Sequence, residues 1–90
     1  MLENLEQLIK IIRERKDYSS SDSYTKKLLN DKNLSVAKVK EEIAELIESV
    51  DQNSNKIHEA ADVIYHLAMY LEANNIKIED VMSELDKRKK

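Results

Sequence analysis

The sequence predicts an all-α protein, a helical bundle of four to five helices that dimerisation completes. The chain of 90 residues contains no Gly and no Pro, the residues that usually punctuate strands and turns. Its apolar residues recur at helical intervals, and no strand-like alternation competes with them. A chain of this length forms one domain with a thin core, here residues 1–90, so we expect a second copy to cover part of its apolar surface.

Composition and charge argue against several classes of protein. The 15 basic and 18 acidic residues give a net charge of −3, which disfavours a nucleic-acid binder that depends on a basic surface. Without Cys, the chain has no disulfide and no thiolate chemistry. It begins with an acidic amphipathic stretch, and no apolar run has the length needed to cross a bilayer. We therefore expect a cytoplasmic protein without nucleic-acid or membrane partners.

The first part of the chain is predicted to hold two helices separated by a polar loop. An apolar stripe at three- and four-residue intervals predicts a first helix that runs to roughly Lys16. The members of this stripe are Leu2, Leu5, Leu8, Ile9 and Ile12. The stretch DYSSSDS predicts a loop, because Ser and Asp side chains compete for backbone hydrogen bonds. Asp22 or Ser23 is then expected to cap a short helix that carries YTKKLL.

Three further helices are predicted after the polar gap NDKN. Ser35 is a reasonable N-cap for a third helix over residues 36–50. The fourth helix follows the loop DQNSN and runs from about Lys56 to Ala73. It is apolar on most of its circumference, which is typical of a helix buried between others. A final amphipathic helix follows NNIK. Its apolar residues are Ile78, Val81, Met82 and Leu85.

The third helix carries a run of glutamates whose faces follow from the helical period. At about 100° per residue, Glu42 and Glu45 fall beside each other on the flank of the apolar stripe. Glu41 and Glu48 point further toward solvent. Taken alone, this run is also typical of an ordinary solvated helix face.

The fourth helix makes a functional interpretation stronger. Glu59 and Asp62 share one face with His66, on a helix that is otherwise mostly apolar. Buried acids cost several kcal/mol each unless they are protonated, paired or bound to a cation. Lys38 and Lys56 are poorly placed to neutralise all four acids. A divalent cation is the better partner, and carboxylate oxygens favour Mg²⁺ or Mn²⁺ over zinc. Because Mg²⁺ often holds substrate phosphates, the cluster predicts phosphate chemistry.

These motifs resemble a known family. The pattern EExxE followed by ExxD is similar to that of the all-α MazG-like nucleotide pyrophosphohydrolases, which include the dimeric dUTPases. More narrowly, four blocks resemble, in order, segments of the phosphoribosyl-ATP pyrophosphohydrolases of histidine biosynthesis. The blocks are SYTKKLL, KVKEEIAE, EAADVIYHL and IEDVMSELDKR, and together they span nearly the whole chain.

The resemblance implies an activity, a cofactor and an assembly. The expected reaction is Mg²⁺-dependent hydrolysis of phosphoribosyl-ATP to phosphoribosyl-AMP and pyrophosphate. The expected assembly is an obligate homodimer, and pairing of dimers into tetramers stays open. The family's metal-ligand positions correspond to four residues that the helical faces also single out. They are Glu42, Glu45, Glu59 and Asp62.

Other residues receive roles on the same interpretation. Glu41 is a candidate catalytic base that orients water, and a solvated glutamate is the alternative. Lys27 and Lys38 match family positions and are candidates to neutralise phosphate charge. Tyr24 and Thr25, at the start of a helix, are candidate substrate-binding residues. His66, facing a helix interface, is interpreted as a satisfied buried residue beside the ligands.

The sequence leaves two alternative functions open. Lys40 stands where the histidine-pathway enzymes usually have Gly before the paired glutamates. A relative that hydrolyses dUTP or damaged nucleotides would keep the carboxylates and differ at this position. A non-catalytic helical interaction module would use the same acids only to pair with a basic partner. The phosphorus that is attacked and the number of metal ions also stay open.

Overall fold

The computed structural model describes residues 2–17 and 24–89, without the side chains of residues 17 and 24–26. All regular elements in this part of the chain are α-helices, as the sequence predicts. They are α1 (Glu3–Asp17), α2 (Tyr24–Asn30), α3 (Lys32–Gln52), α4 (Lys56–Ala73) and α5 (Ile78–Lys87). The predicted caps Asp22 and Ser23 lie outside the described residues. None of the described helices combines the length and the apolar character needed to cross a membrane.

Helix α3 begins earlier than the sequence analysis predicts. Its N-cap is Asp31, whose side chain accepts a hydrogen bond of 3.0 Å from the backbone N–H of Leu34. The prediction that Ser35 caps this helix is therefore wrong. Asp is as good an N-cap as Ser, and no helix breaker lies between the two positions. Ser35 is instead buried inside α3, with 2% of its surface exposed.

Asparagine occupies helix-end positions of the described residues at which glycine is more usual. In the described residues, positive φ values occur at Asn53, Asn55 and Asn75, with φ between 53° and 58°. Asn tolerates the left-handed conformation better than most residues that have a Cβ. Asn53 ends α3 in this conformation, and its backbone N–H donates to the carbonyls of Ser49 and Val50. The resulting short turn folds α4 back against α3.

The apolar core is small and lies where α1, α2 and α4 meet. Its buried residues are Ile9, Ile12, Leu28, Leu29, Ala68, Met69 and Ala73. Helix α3 adds Leu34 at the edge of this cluster, and α5 adds Ile78. Most of the length of α3 therefore packs outside this core, against α4.

The contact between α3 and α4 is polar on the α3 side. Its buried residues, Ser35, Glu42 and Ser49, recur every seventh position and form one line along the helix. Two apolar residues of α3, Ile43 and Ile47, stay exposed. The structure thus buries a polar line of this helix and leaves much of its apolar face in solvent.

Helix α4 also exposes apolar residues that we expected to be buried between helices. Ile57, Ile64 and Leu67 are 88%, 50% and 42% exposed. Helices α3 and α4 run antiparallel. A residue of α3 and a residue of α4 that are turned by the same angle about their helix axes, away from the line of contact, therefore lie on the same side of the pair. The exposed stripes of the two helices share that side, and α1 and α2 pack on the other. One copy of the chain therefore covers only one side of the α3–α4 pair.

Hydrogen bonds and ion pairs of charged side chains connect helix α5 to the rest of the protein. Arg13 on α1 donates from Nε to Oε1 of Glu72 at 2.8 Å, and from Nη1 to Oε2 of Glu79 at 2.8 Å. The nearby Lys16 ammonium donates to the backbone carbonyl of Glu72 at 2.6 Å and to Oδ1 of Asn75 at 2.7 Å. These contacts join α1 to the end of α4 and the start of α5.

Candidate metal and nucleotide site

Three of the four predicted metal ligands meet between α3 and α4. One carboxylate oxygen from each of Glu42, Glu45 and Glu59 lies within 4.8 Å of the other two. The antiparallel turn produces this meeting, because it brings the middle of α3 opposite the first turns of α4. We call these three residues the inner set.

Asp62, the fourth predicted ligand, belongs to a second group that overlaps the first. Ligand atoms of His58, Glu59 and Asp62 also lie within 4.8 Å of one another. The His58 Nε2 atom is 3.4 Å from Oδ2 of Asp62. We call these residues the outer set, since the His58 side chain is 72% exposed. Glu59 belongs to both sets.

Two oxygens of the cluster are buried without a hydrogen-bond partner in the described structure. They are Oε2 of Glu42 and Oε2 of Glu59. Glu42 as a whole is only 8% exposed. A buried polar atom without a partner costs about 1–3 kcal/mol, and more when it is charged. An arrangement of this kind is expected where a ligand completes the site.

The electrostatics of the cluster lead to the same conclusion. Burial raises the pKa of the Glu42 carboxyl, and the neighbouring charge of Glu45 raises it further, while His66 acts in the opposite direction. Burial also raises the pKa of Glu59, with Glu45 again the next cause. Both shifts mean that negative charge is destabilised here, so a cation would be attracted.

The donor atoms of the inner set fit a hard divalent cation. They are carboxylate oxygens on two helices, with two of the oxygens unpartnered. Mg²⁺ and Mn²⁺ take ligands of this type and commonly keep several waters. A polar cleft of about 150 Å³ opens beside Glu45 and Glu59 at the α3–α4 turn. A larger groove of about 510 Å³ lies between α1 and α5, away from these carboxylates.

The predicted base and one predicted phosphate ligand contact each other. Lys38 donates from Nζ to Oε2 of Glu41 at 3.1 Å, one turn apart on α3. The Glu41 side chain is 50% exposed and stays outside both sets of ligand atoms, as its helical position predicts. Lys27 is exposed on α2. Tyr24 and Thr25 form the start of α2, and their side chains lie outside the described part of the structure.

His66 is a buried residue of the α3–α4 contact, in agreement with its interpretation from the sequence. Only 8% of it is exposed, and its Nδ1 atom lies 2.9 Å from the backbone carbonyl of Asp62. Its ring lies beside that of Tyr65, with centroids 5.1 Å apart. His66 is thus in contact with the helix turn that carries Asp62.

His58 is the residue that the sequence analysis missed. It lies four residues before Asp62, so the two side chains occupy adjacent turns of one helix face. This spacing was the available signal.

Comparison with known proteins identifies relatives along nearly the whole chain. Residues 5–89 match the family described as phosphoribosyl-ATP pyrophosphohydrolase. A phosphoribosyl-ATP pyrophosphatase of Halobacterium salinarum is 35% identical over 95 residues, covering 99% of this chain and 100% of that protein. One of Clostridium novyi is 39% identical over 92 residues, covering 96% of this chain and 81% of that protein.

Some relatives are much longer than this chain. The histidine biosynthesis trifunctional protein of Kluyveromyces lactis is 42% identical over 79 residues, which are 88% of this chain and 10% of that protein. The matched region is thus a small part of a larger polypeptide in that case. No solved structure matches the chain.

Proposed function

Since the chain belongs to the phosphoribosyl-ATP pyrophosphohydrolase family, we propose that it hydrolyses phosphoribosyl-ATP to phosphoribosyl-AMP and pyrophosphate, the second step of histidine biosynthesis, in a Mg²⁺-dependent reaction. The observation that best supports the metal dependence is the pair of buried, unpartnered carboxylate oxygens on Glu42 and Glu59. A polyphosphate substrate needs cations to offset its charge, and these carboxylates are suited to hold one.

Carboxylates from α3 and α4 would coordinate the cation. In this proposal Glu42, Glu45, Glu59 and Asp62 are the ligands, and Mn²⁺ is a possible substitute for Mg²⁺. When bound, such an ion supplies Lewis acidity toward phosphate oxygens and a lowered pKa for bound water. The ligands come together because α3 and α4 form the most extensive helix–helix contact among the described residues.

Glu41 and Lys38 act at the rim of this site. In the described structure the Lys38 ammonium is held by Glu41. A substrate phosphate would compete for this ammonium and free the Glu41 carboxylate to accept a proton from the attacking water. Lys27 adds positive charge for the phosphates, and Tyr24 and Thr25 contact the phosphoribosyl group.

The same proposal includes a homodimer. The exposed apolar residues of α3 and α4 lie on one side of the helix pair, and a second copy would bury them. They are Ile43, Ile47, Val50, Ile57, Ile64 and Leu67. Burying this side would also fix α3, which has little apolar core of its own, against α4.

A pyrophosphate-release assay on phosphoribosyl-ATP, ATP and dUTP, with Mg²⁺ or with EDTA, tests the proposal. We expect kcat/KM for phosphoribosyl-ATP to exceed the other two by roughly a hundredfold, which is about 2.7 kcal/mol of transition-state discrimination. The extra phosphoribosyl group would supply that binding energy. Equal rates, or a preference for dUTP, would instead assign the protein to removal of unwanted nucleotides. No turnover, together with a melting temperature indifferent to Mg²⁺ and EDTA, would support the non-catalytic module.

A further inference from the structure

The polar cleft of about 150 Å³ extends from the carboxylate cluster to the α3–α4 turn. Along α3 it runs from Glu45 to Gln52, a rise of about 10 Å at the helical spacing. The residues that line it are Glu45, Glu48, Ser49, Gln52, Ser54, Asn55 and Glu59. Because a cavity of about 150 Å³ can hold a benzene-sized molecule, a single sugar ring fits this cleft.

The acceptors of the cleft are carboxylates without a basic side chain among them. Its described lining contains three glutamates and neither Lys nor Arg. Gln52 donates from Nε2 to Oε1 of Glu48 at 3.1 Å, which orients the Glu48 carboxylate and leaves its Oε2 atom as an acceptor. A phosphate group, which carries negative charge and offers mainly acceptors, is disfavoured beside these carboxylates.

The start of α4 supplies hydrogen-bond donors to the same cleft. Its N-cap residue, Asn55, makes no side-chain capping hydrogen bond. The first backbone N–H groups of a helix have no partner within the helix, so those of α4 can donate to a ligand here. Ser54 adds a hydroxyl. A sugar hydroxyl suits this mixture, because it both donates and accepts hydrogen bonds.

The order of charges along α3 gives a bound nucleotide a direction. Lys38 lies one turn before Glu42, and the cleft begins at Glu45 on the other side. The pyrophosphate end of a nucleotide triphosphate would lie toward Lys38, and the ribose beside the α-phosphate would lie toward the cleft. Glu59, whose Oε2 atom is buried without a partner, lines the cleft where it meets the proposed cation site.

We propose that the cleft binds the 2′- and 3′-hydroxyls of the ribose that carries the triphosphate, with Glu48 as acceptor and the first turn of α4 as donor. The proposal deepens the proposed function and rests on it. Glu48 is then a specificity-determining residue, which selects ribonucleotides over nucleotides that lack these hydroxyls and which is not a ligand of the cation.

Calorimetry with two nonhydrolysable nucleotides in Mg²⁺ tests this role. The probes are α,β-methylene ATP and its 2′,3′-dideoxy counterpart, which carry the same phosphates. The wild type should bind the ribose form roughly tenfold more tightly, the effect of one hydrogen bond to a charged group. Glu48→Gln should lower this ratio toward one, because a neutral amide accepts a weaker hydrogen bond than a carboxylate does.

Asp51→Asn is the matched control. It makes the same change of charge one turn further along α3, at a residue that does not line the cleft, and it should retain the ratio of the wild type. Equal affinities of the wild type for the two probes, no binding of either probe, an unchanged ratio in Glu48→Gln or an equal loss in Asp51→Asn would overturn the proposal. Failure to hydrolyse phosphoribosyl-ATP would instead refute the proposed function, while the ratio, measured with a plain ATP analogue, would stand.

Discussion

Replacing Glu42 with Gln should stabilise the metal-free protein and remove its response to Mg²⁺. Glu42 is 8% exposed, and its Oε2 atom has no partner among the described residues. The amide of Gln keeps the shape, carries no charge, and can donate a hydrogen bond to the neighbouring Glu45. Relief of a buried unpaired carboxylate is worth about 1–2 kcal/mol. For a domain of this size, each kcal/mol corresponds to about 4–8 °C in melting temperature.

The pH dependence of this effect has a definite sign. The pKa of Glu42 is raised in the folded protein, so the folded state binds more protons than the unfolded state between the two pKa values. The destabilisation by Glu42 is therefore absent below the unfolded pKa of about 4.3 and grows as pH rises toward the folded pKa. The advantage of Glu42→Gln over the wild type should accordingly vanish near pH 4 and be complete at the upper end of this window.

Thermal melts in EDTA and in Mg²⁺, at one protein concentration, measure both effects. At a Mg²⁺ concentration of 100 times Kd the wild type should gain about 2.7 kcal/mol, and Glu42→Gln should gain far less. Glu48→Gln is the control, since Glu48 is an exposed residue of α3 that accepts a hydrogen bond from Gln52. Its stability should change by less than about 0.5 kcal/mol. A destabilised Glu42→Gln protein in EDTA, or an intact response to Mg²⁺, would refute this reasoning.

Three other predictions concern separate parts of the structure. Asp62→Asn should abolish Mg²⁺-dependent hydrolysis while circular dichroism shows an unchanged helix content, because it removes ligand charge and preserves shape; near-normal turnover at saturating Mg²⁺ would contradict its role as a ligand. The wild type should sediment as a dimer at micromolar concentration and Ile64→Lys as a monomer, whereas Ile76→Lys, the same substitution at a similarly exposed residue between α4 and α5, should remain dimeric; an active wild-type monomer would refute the dimer. The Arg13 guanidinium lowers the pKa of Glu79 to about 2, so the stability from this pair is present above the unfolded pKa of about 4.3 and is lost as pH falls through 2; a carboxyl NMR titration should return the Glu79 pKa to its ordinary range in Arg13→Gln, and an unmoved pKa would show that another group is responsible.

Helical periodicity predicted the parts of the structure that depend on local sequence. It located α4 at its observed bounds, and it placed Glu42 and Glu45 on a face distinct from that of Glu41. It failed at the start of α3, where two capping residues competed and Asp31 was the one used. Single-sequence patterns identify possible caps, and packing decides between them.

Helical periodicity could not identify what packs against each helix face. An apolar stripe indicates that a face will be buried, and it does not say whether the same chain or a second copy covers it. This is why the exposure of Ile57 and Ile64 was not foreseen. The distance between His58 and the carboxylates depends on side-chain rotamers as well as on sequence spacing. The sequence could therefore show only that such a contact was possible.

The polar line on the inner side of α3 has a consequence for motion. The buried apolar residues come from α1, α2 and α4, so opening α3 away from α4 exposes little of this core. Such segments open more readily than the global unfolding transition, and their amide hydrogens exchange faster with solvent. In an isolated copy the proposed ligands Glu42 and Glu45 thus lie on a helix that contributes little to the buried apolar core. The affinity of the proposed site for its cation is then linked to the contacts that keep α3 packed against α4. A substitution on the exposed apolar side of the α3–α4 pair can weaken metal binding without contacting a ligand.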